Sequence, residues 1–284
     1  MIAKPIGLVD LHTHTTASDG TLSPEELVHA AARRGLSVIG ITDHDTVEAI
    51  EPARVAGRRV GLRVVAGLEL SARLDHRSVH LLAYGLDDLS PALKLALADR
   101  VERRAARAHL IVQRLIDQGV PVSWDSVARQ TTGAIGRPHI ARALIEQGYA
   151  ESVSDAFARW IGWDRPAYVP SPSFRPADAV ALVRAAGGEV GLAHPMRGAK
   201  RLPLDTAVPA LIAAGVTGLE VCYSDHSAED VAMLGAIAGR YGLWWSGGSD
   251  FHGANKPWIE IGSVDVPSSV LTQGPFLAAM ARAS

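Results

Sequence analysis

The chain begins with short apolar runs that end in polar residues, the pattern of buried strands meeting a polar rim. Segments 6–12 (IGLVDLH) and 37–45 (SVIGITDHD) read this way, and 63–72 (RVVAGLELSA) and 78–85 (SVHLLAYG) predict two more strands. After the first of them, SPEELVHAAARRGL predicts a helix. Ser23 can cap it, Pro24 suits its first position, Glu26 completes a capping box and Gly35 suits its stop. EAIEPARVAGRRVG predicts a less regular helix, because Pro52 must sit early or break it. From 89 to 163 the pattern turns helical and polar. PALKLALADRVERRAARAHLIVQRLIDQG predicts one long helix, and SWDSVARQ, RPHIARALIEQG and VSDAFARWIG predict short ones. Alternation then resumes, with strands at 189–195 (EVGLAHP), 218–224 (GLEVCYS) and 243–253 (LWWSGGSDFHG) and a helix before each. This order predicts an α/β protein with a parallel sheet or barrel. Its two parts are 1–88 and 164–284, with 89–163 as an inserted helical subdomain.

Composition narrows the classes. Apolar residues make up 48% of the 284, enough for a sizeable core and too many for general disorder. The 28 basic and 30 acidic residues leave a formal charge of −2, so any anion site must be local. Cys222 is the single cysteine, which excludes an internal disulfide and a zinc–thiolate cluster. The N-terminal residues carry no long apolar leader, and no apolar run approaches the roughly 20 residues of a membrane span. A soluble, cytoplasmic protein is expected, with no membrane association and no sign of an obligate protein partner.

Chemistry collects at the C-terminal ends of the strands, where α/β barrels build their sites. His12 and His14 follow the first strand, His44 the second, and Glu69 lies near the end of the third. His80 lies on the fourth, His194 ends GLAHP, and Asp250 and His252 end GGSDFHG. Residues i and i+2 of a strand point the same way, so the two i, i+2 pairs can each aim both side chains inward. Imidazoles with aspartate and glutamate form an ordinary ligand set for zinc, iron or manganese. Singly, each such histidine is more often a hydrogen-bonded structural residue; the pattern over five segments is the stronger signal. His29, His76, His109 and His226 read as solvated or structural. Asp43 and Asp45, flanking His44, read as orienting or capping groups.

The motifs DLHTHTTASDGT, GITDHD, GLELSA, GLAHP and GGSDFHG, in this order, resemble the PHP (polymerase and histidinol phosphatase) family over residues 7–85 and 166–265. The resemblance implies a distorted seven-stranded β/α barrel with two or three divalent metals, manganese first with iron or zinc as alternatives, and phosphoester hydrolysis. Carried over by motif, His12, His14, Glu69 and Asp250 hold one metal; Asp19, His44 and His252 a second; His80 and His194 a third, with Glu69 bridging. Those residues, His80 apart, are also the candidate catalytic set. Clustered metals can deprotonate a bridging water, bind phosphate oxygens and offset charge on the leaving oxygen.

The insert bears on the substrate. GAIGRPHIARALIEQG places Arg137 and His139 at a helix start, where free N–H groups also favour anions. GRPHIA in a helical insert is similar to the PHP subgroup acting on nucleotides. Arg137 and His139 are therefore expected to hold a second substrate phosphate, while Arg197, Lys200 and Arg201, after ligand His194, read equally as rim residues that steer anions or as solvated loop charges. Arg100, Arg103, Arg104 and Arg107 form a basic stripe by helical spacing, read either as an RNA contact or, more often for such stripes, as a solvated face. Trp160 and Trp163, near Tyr168, can stack on a base or pack at a hinge. The leading expectation is a phosphatase that removes the 3′-phosphate of nucleoside 3′,5′-bisphosphates. The alternative is a 5′→3′ exoribonuclease on short 5′-phosphorylated RNA. Histidinol phosphatase, amide hydrolysis on a related barrel and a non-catalytic nucleic-acid-binding domain rank lower.

Overall fold

The computed structural model describes residues 7–131, 133, 135–197 and 201–282. Lys200, Ile6 of the first expected strand and the outermost residues of both expected barrel segments lie outside that set. Seven strands form one sheet in chain order: β1 Leu8–Asp10, β2 Leu36–Ile41, β3 Arg63–Leu74, β4 Arg77–Tyr84, β5 Glu189–Leu192, β6 Gly218–Tyr223 and β7 Trp244–Gly248. The sheet closes on itself. Leu11 N–H donates to Gly247 O (3.1 Å), Asp250 N–H to His12 O (2.8 Å) and His14 N–H to Phe251 O (3.0 Å). These bonds tie the chain after β1 to the chain around β7 and bring both i, i+2 pairs to one rim.

The all-parallel expectation fails at β4, which runs antiparallel to both β3 and β5. The cause is the connection: Asp75 and His76 alone join β3 to β4, with Asp75 at φ 51°. A parallel pair needs a crossover of a dozen or more residues. All the other neighbouring strands pair parallel.

Helices α1 Pro24–Arg33, α2 Ile50–Val60, α3 Pro91–Asp117, α4 Trp124–Ala128, α5 Arg137–Glu146, α6 Val153–Ala156, α7 Pro176–Ala185, α8 Leu204–Ala213, α9 Ala228–Tyr241 and α10 Pro275–Arg282 complete the main framework. The capping box on α1 forms: Ser23 Oγ accepts from Glu26 N–H (3.2 Å) and Glu26 Oε2 from Ser23 N–H (2.8 Å). A π-helical turn, Phe157–Ile161, follows α6 directly. No helix among the described residues is long and apolar enough to cross a membrane.

Two apolar clusters form. The larger fills the sheet and its flanking helices, and takes Leu93 and Leu97 from the start of α3. Between the strands it is floored by Tyr84, whose ring meets Trp244 and Phe276 and whose hydroxyl donates to Leu11 O (2.8 Å). The second cluster uses Ile111, Val112 and Leu115 from the far half of α3, Ile140 and Leu144 from α5, and residues as late as Ala167. The long helix α3 therefore spans both cores, and Arg100 and Arg104 are buried where they meet.

Gly248 illustrates how tightly the rim is set. A β-carbon there would lie 2.4 Å from His12 N and 2.5 Å from His12 Cβ. Gly248→Ala is predicted to destabilise the protein by about 1–3 kcal/mol through overpacking. Gly239, exposed on α9 with open space around it, is the contrast: Gly239→Ala should raise stability by roughly 0.5–1 kcal/mol. Urea unfolding of the two variants checks the opposite signs.

Candidate metal centre

Glu69 is the middle of the site. It is fully buried on β3, and each of its oxygens faces a different group of imidazoles. Oε2 lies 3.2 Å from His12 Nε2, 3.0 Å from His14 Nε2 and 3.2 Å from His44 Nδ1. Oε1 lies 2.7 Å from His80 Nδ1 and 3.0 Å from His194 Nε2. Asp250 adds a second carboxylate, with Oδ1 3.5 Å from His12 Nε2 and 3.3 Å from His14 Nε2. Asp19 completes the far side, with Oδ1 3.2 Å from His252 Nε2 and Oδ2 3.9 Å from His44 Nε2.

All nine residues singled out from the motifs thus converge on one rim. Three ligand groups with atoms within 4.8 Å emerge: His12–His14–Glu69–Asp250, His14–Asp19–His44–His252 and His44–Glu69–His80. His14 and His44 each face two groups, which the motif-based partition does not give. His194 Nε2 sits beside the third group, 3.3 Å from His80 Nδ1.

The donor set fits divalent metal. His14 Nε2 and His44 Nδ1 are buried and meet no partner in hydrogen-bond geometry, although a carboxylate oxygen lies close to each. Both nitrogens face the same carboxylate oxygen, Glu69 Oε2. Ligands about 2.1 Å from a tetrahedral ion stand roughly 3.4 Å apart, close to the spacings above. Without an ion, the charges are balanced by protons. Burial opposes charge on His12, yet Glu220, Asp250 and Glu69 raise its pKa well above the usual imidazole range. His14 is likewise raised to about 9, the Asp250 and Glu69 carboxylates outweighing burial. Burial pushes His194 down to about 3 and holds His44 well below its usual value. Burial opposes ionisation of Glu69, Asp250 and Asp19, but the imidazoles around them, with Lys256 beside Asp250, hold all three well below the carboxylate range.

An outer layer of carboxylates sets these rings. Glu220 on β6 accepts from His12 Nδ1 (2.8 Å) and from the backbone N–H of His194 (2.7 Å). The first bond fixes the tautomer that leaves His12 Nε2 free to ligate. Asp43 accepts from Thr15 N–H and Oγ1 (both 2.8 Å) and from Ser18 Oγ (2.5 Å), folding the loop that carries Asp19. Asp10 accepts from Ser249 N–H (2.9 Å), Ser249 Oγ (2.6 Å) and Gly262 N–H (2.8 Å), holding the strand end before Asp250. Asp250 Oδ2 accepts from Tyr223 Oη (2.8 Å) and Lys256 Nζ (2.5 Å), which turns Oδ1 toward the histidines. Motif and spacing do not single out Glu220, Asp10, Tyr223 or Lys256. A usable signal exists for Glu220 and Asp10, since each is a lone acid inside an otherwise apolar strand (GLEVCYS, IGLVDLH). Backbone strain marks the same region: Asp45, His194 and Asp250 take φ of 53°, 26° and 57°, a region non-glycine residues enter at a cost of about 1–3 kcal/mol.

A pocket of about 570 Å³ opens over the cluster. Asp19, His44, His80, His194 and His252 line one part of it, and Arg104, Arg107 and Arg137 another. The expected basic stripe therefore divides. Arg104 Nη1 donates to the buried Asp45 (2.6 Å), Arg100 packs on Phe174, and Arg107 donates to Val169 O (2.8 Å). Arg103 alone of the four points to solvent, paired with Asp99 (2.7 Å). Arg137 lies over the Phe157 and Tyr168 rings, and Arg197 is exposed on the pocket rim.

His139 departs from its expected place. It is fully buried, its Nδ1 accepts from Gly136 N–H (2.8 Å) and caps α5, and it is absent from the pocket wall. Burial lowers its pKa to about 4, so it carries no charge for an anion at neutral pH. His226, expected at the surface, is half-buried, with Nδ1 on Val221 O (2.8 Å). Arg201 is held away from the pocket by Asp230 (2.6 Å).

The protons on the ligands make metal binding pH-dependent. His14 must lose its proton to ligate, so metal affinity should rise about tenfold per pH unit, for each proton displaced, from pH 6.5 toward 9. Calorimetry of manganese binding in buffers of different ionisation enthalpy should register proton release; a buffer-independent heat contradicts it. Glu220→Gln should weaken metal affinity about 10–100-fold with the fold intact; unchanged affinity would remove Glu220 from the support of His12.

Comparison with known proteins places this geometry in a family. A family model described as the PHP domain matches residues 10–162. The 5′-3′ exoribonuclease Rnm of Salmonella typhimurium is 37% identical over 261 residues, covering 90% of this chain and 88% of that protein. The 3′,5′-nucleoside bisphosphate phosphatase of Chromobacterium violaceum is 32% identical over 260 residues, covering 90% and 91%. Among solved structures, a candidate metal-dependent phosphoesterase from Bifidobacterium adolescentis superposes with a TM-score of 0.87 at 36% identity, covering 94% of this chain and 95% of that one. With the motif order, the closed sheet and the histidine–carboxylate rim, these likenesses identify the chain as a member of the PHP family.

Proposed function

We propose that this protein is a metal-dependent phosphoesterase that removes the 3′-phosphate of nucleoside 3′,5′-bisphosphates, leaving the 5′-monophosphate. One observation carries the reading of a substrate with a second phosphate. The pocket that holds the metal-ligand cluster also holds Arg107 and Arg137, which have no carboxylate within ion-pair distance among the described residues. Burial lowers the pKa of both, and the repulsion of neighbouring guanidinium groups adds to it, bringing Arg107 to about 9. Two such half-buried cations side by side without a counter-ion favour an anion that joins them. A phosphate remote from the reacting one meets that need, and guanidinium forks suit it bidentately. The pocket volume falls within the usual range for small-molecule sites.

In this reading two or three divalent ions, manganese first on the mixed nitrogen and oxygen donors, sit among the nine ligand residues. Bound there, such ions supply an activated water and neutralise charge on the phosphoryl oxygens. The protein's own residues do the rest. Glu69, held in place by its strand, spaces the histidine groups. Arg107 and Arg137 anchor the 5′-phosphate, with Arg104 beside them braced by Asp45. Arg197 at the rim draws the anion in. Anchoring at a second phosphate fixes the 3′-phosphorus over the cluster, so part of the entropy of alignment is met by binding.

A second reading is removal of nucleotides from the 5′ end of short 5′-phosphorylated RNA, on the same cluster and the same 5′-phosphate anchor. The 37% identity to the Salmonella exoribonuclease favours it. The two differ in what the 3′-phosphate carries. Phosphate release from adenosine 3′,5′-bisphosphate by manganese-loaded protein, set against nucleotide release from a 5′-phosphorylated dinucleotide and hydrolysis of an aryl phosphate, separates them. Faster turnover of the bisphosphate supports the first reading, and of the dinucleotide the second. Arg137→Ala should raise KM for the bisphosphate about 10–100-fold, the loss expected for a charge-assisted anchor, and affect the aryl phosphate far less. An equal effect on both esters contradicts the anchor.

A further inference from the structure

We propose that Trp258 is the stacking platform for the substrate's nucleobase, an assignment that rests on the nucleotide reading above. The chain has six tryptophans, and five are engaged. Trp244 is buried with its indole N–H on Glu189 (2.9 Å), and Trp245 packs against the main core. Trp160 donates to Tyr149 O (3.0 Å), Trp124 stacks on His109 with centroids 3.4 Å apart, and Trp163 meets Tyr168 edge-on at 5.1 Å. Trp258 has no ring neighbour and no hydrogen-bond partner among the described residues, is 66% exposed, and lies on the wall of the metal pocket. Trp160 and Trp163, the stacking candidates from sequence, are absent from that wall.

The loop that presents this ring is pinned. Ala254 N–H donates to Thr21 Oγ1 (2.9 Å), Asn255 Nδ2 to Asp19 O (2.5 Å) and Lys256 Nζ to Asp250 (2.5 Å). Ile259 N–H donates to Lys256 O (3.0 Å), and the Ile259 side chain is buried. Two of these bonds attach the loop directly to metal-ligand residues Asp19 and Asp250, so the backbone that carries the ring is fixed relative to the cluster. An exposed indole on a rigid loop loses little freedom when a flat apolar partner covers it. Phe157, the other aromatic residue on the wall besides the histidines, already carries Arg137 over its face at 5.0 Å. A nucleotide with one phosphate at the cluster and the other at the arginines has only its base left to place, and Trp258 is the free aromatic face beside it. Stacking accepts every base, so the four bases should differ only modestly.

The test compares wild type, Trp258→Ala and Trp258→Phe, all manganese-loaded, on adenosine 3′,5′-bisphosphate and on the same ribose bisphosphate lacking the base. The ratio of kcat/KM for the two substrates should fall about tenfold in W258A, within the range for one stacked base, and be largely retained in W258F. An unchanged ratio in W258A overturns the assignment. Quenching of tryptophan fluorescence by adenosine 5′-monophosphate is the second readout, expected in wild type and lost in W258F. If neither substrate is turned over but the Trp258-dependent quench persists, the stacking site stands and the phosphatase reading falls. If turnover and quench are both absent, both fall.

Discussion

A single buried carboxylate organises this protein. Glu69 places one oxygen against His12, His14 and His44 and the other against His80 and His194. Five imidazoles from four separate strands and the loops after them cannot pack around an anion in a dry interior unless further charge balances the group, because desolvating ions costs several kcal/mol each. The site therefore has to take up either protons or metal ions. The raised pKa values of His12 and His14 are the proton side of that balance. The buried ring nitrogens of His14 and His44 that meet no hydrogen-bond partner are its metal side.

Much of the fold serves to hold that arrangement. Closure of the sheet between the chain after β1 and the chain around β7 brings His12 and His14 to Asp250 and His252. Asp10 and Asp43 accept from backbone and hydroxyl groups next to ligands, and Glu220 from the His12 ring and the His194 backbone N–H, which stiffens the loops that carry them. The left-handed backbone at His194 and Asp250 persists because these bonds over-determine it. On the opposite side, the Arg104–Asp45 pair locks α3 to the loop carrying His44, so the insert and the metal rim form one pocket.

The ligands are legible in the sequence because chemistry at strand ends is periodic. Ligand-type side chains at i and i+2 in two places, His12 with His14 and Asp250 with His252, and a carboxylate or imidazole at the end of most strands, form the pattern that single histidines do not. The supporting acids are less visible. Glu220 sits in GLEVCYS, where the apolar run hides it, though a charge in a buried strand demands a partner. The reversal of β4 is also readable in principle, since the five residues between the two expected strands, 73–77, leave no room for a crossover. The arginine stripe shows the limit of spacing arguments. Arg103 and Arg104 are neighbours in sequence, and tertiary contact alone decides that one faces solvent and the other Asp45. His139 misleads for a related reason, since a capping residue and an anion ligand share the same sequence signal at a helix start.

Metal stoichiometry tests most directly whether the Glu69-centred cluster is a multinuclear metal site. Protein purified without chelator, loaded with manganese and freed of excess, should contain at least two ions per chain by elemental analysis, and Glu69→Gln should lower that number. A wild-type protein that retains one ion or none, or a Glu69→Gln variant with an unchanged count, would contradict it.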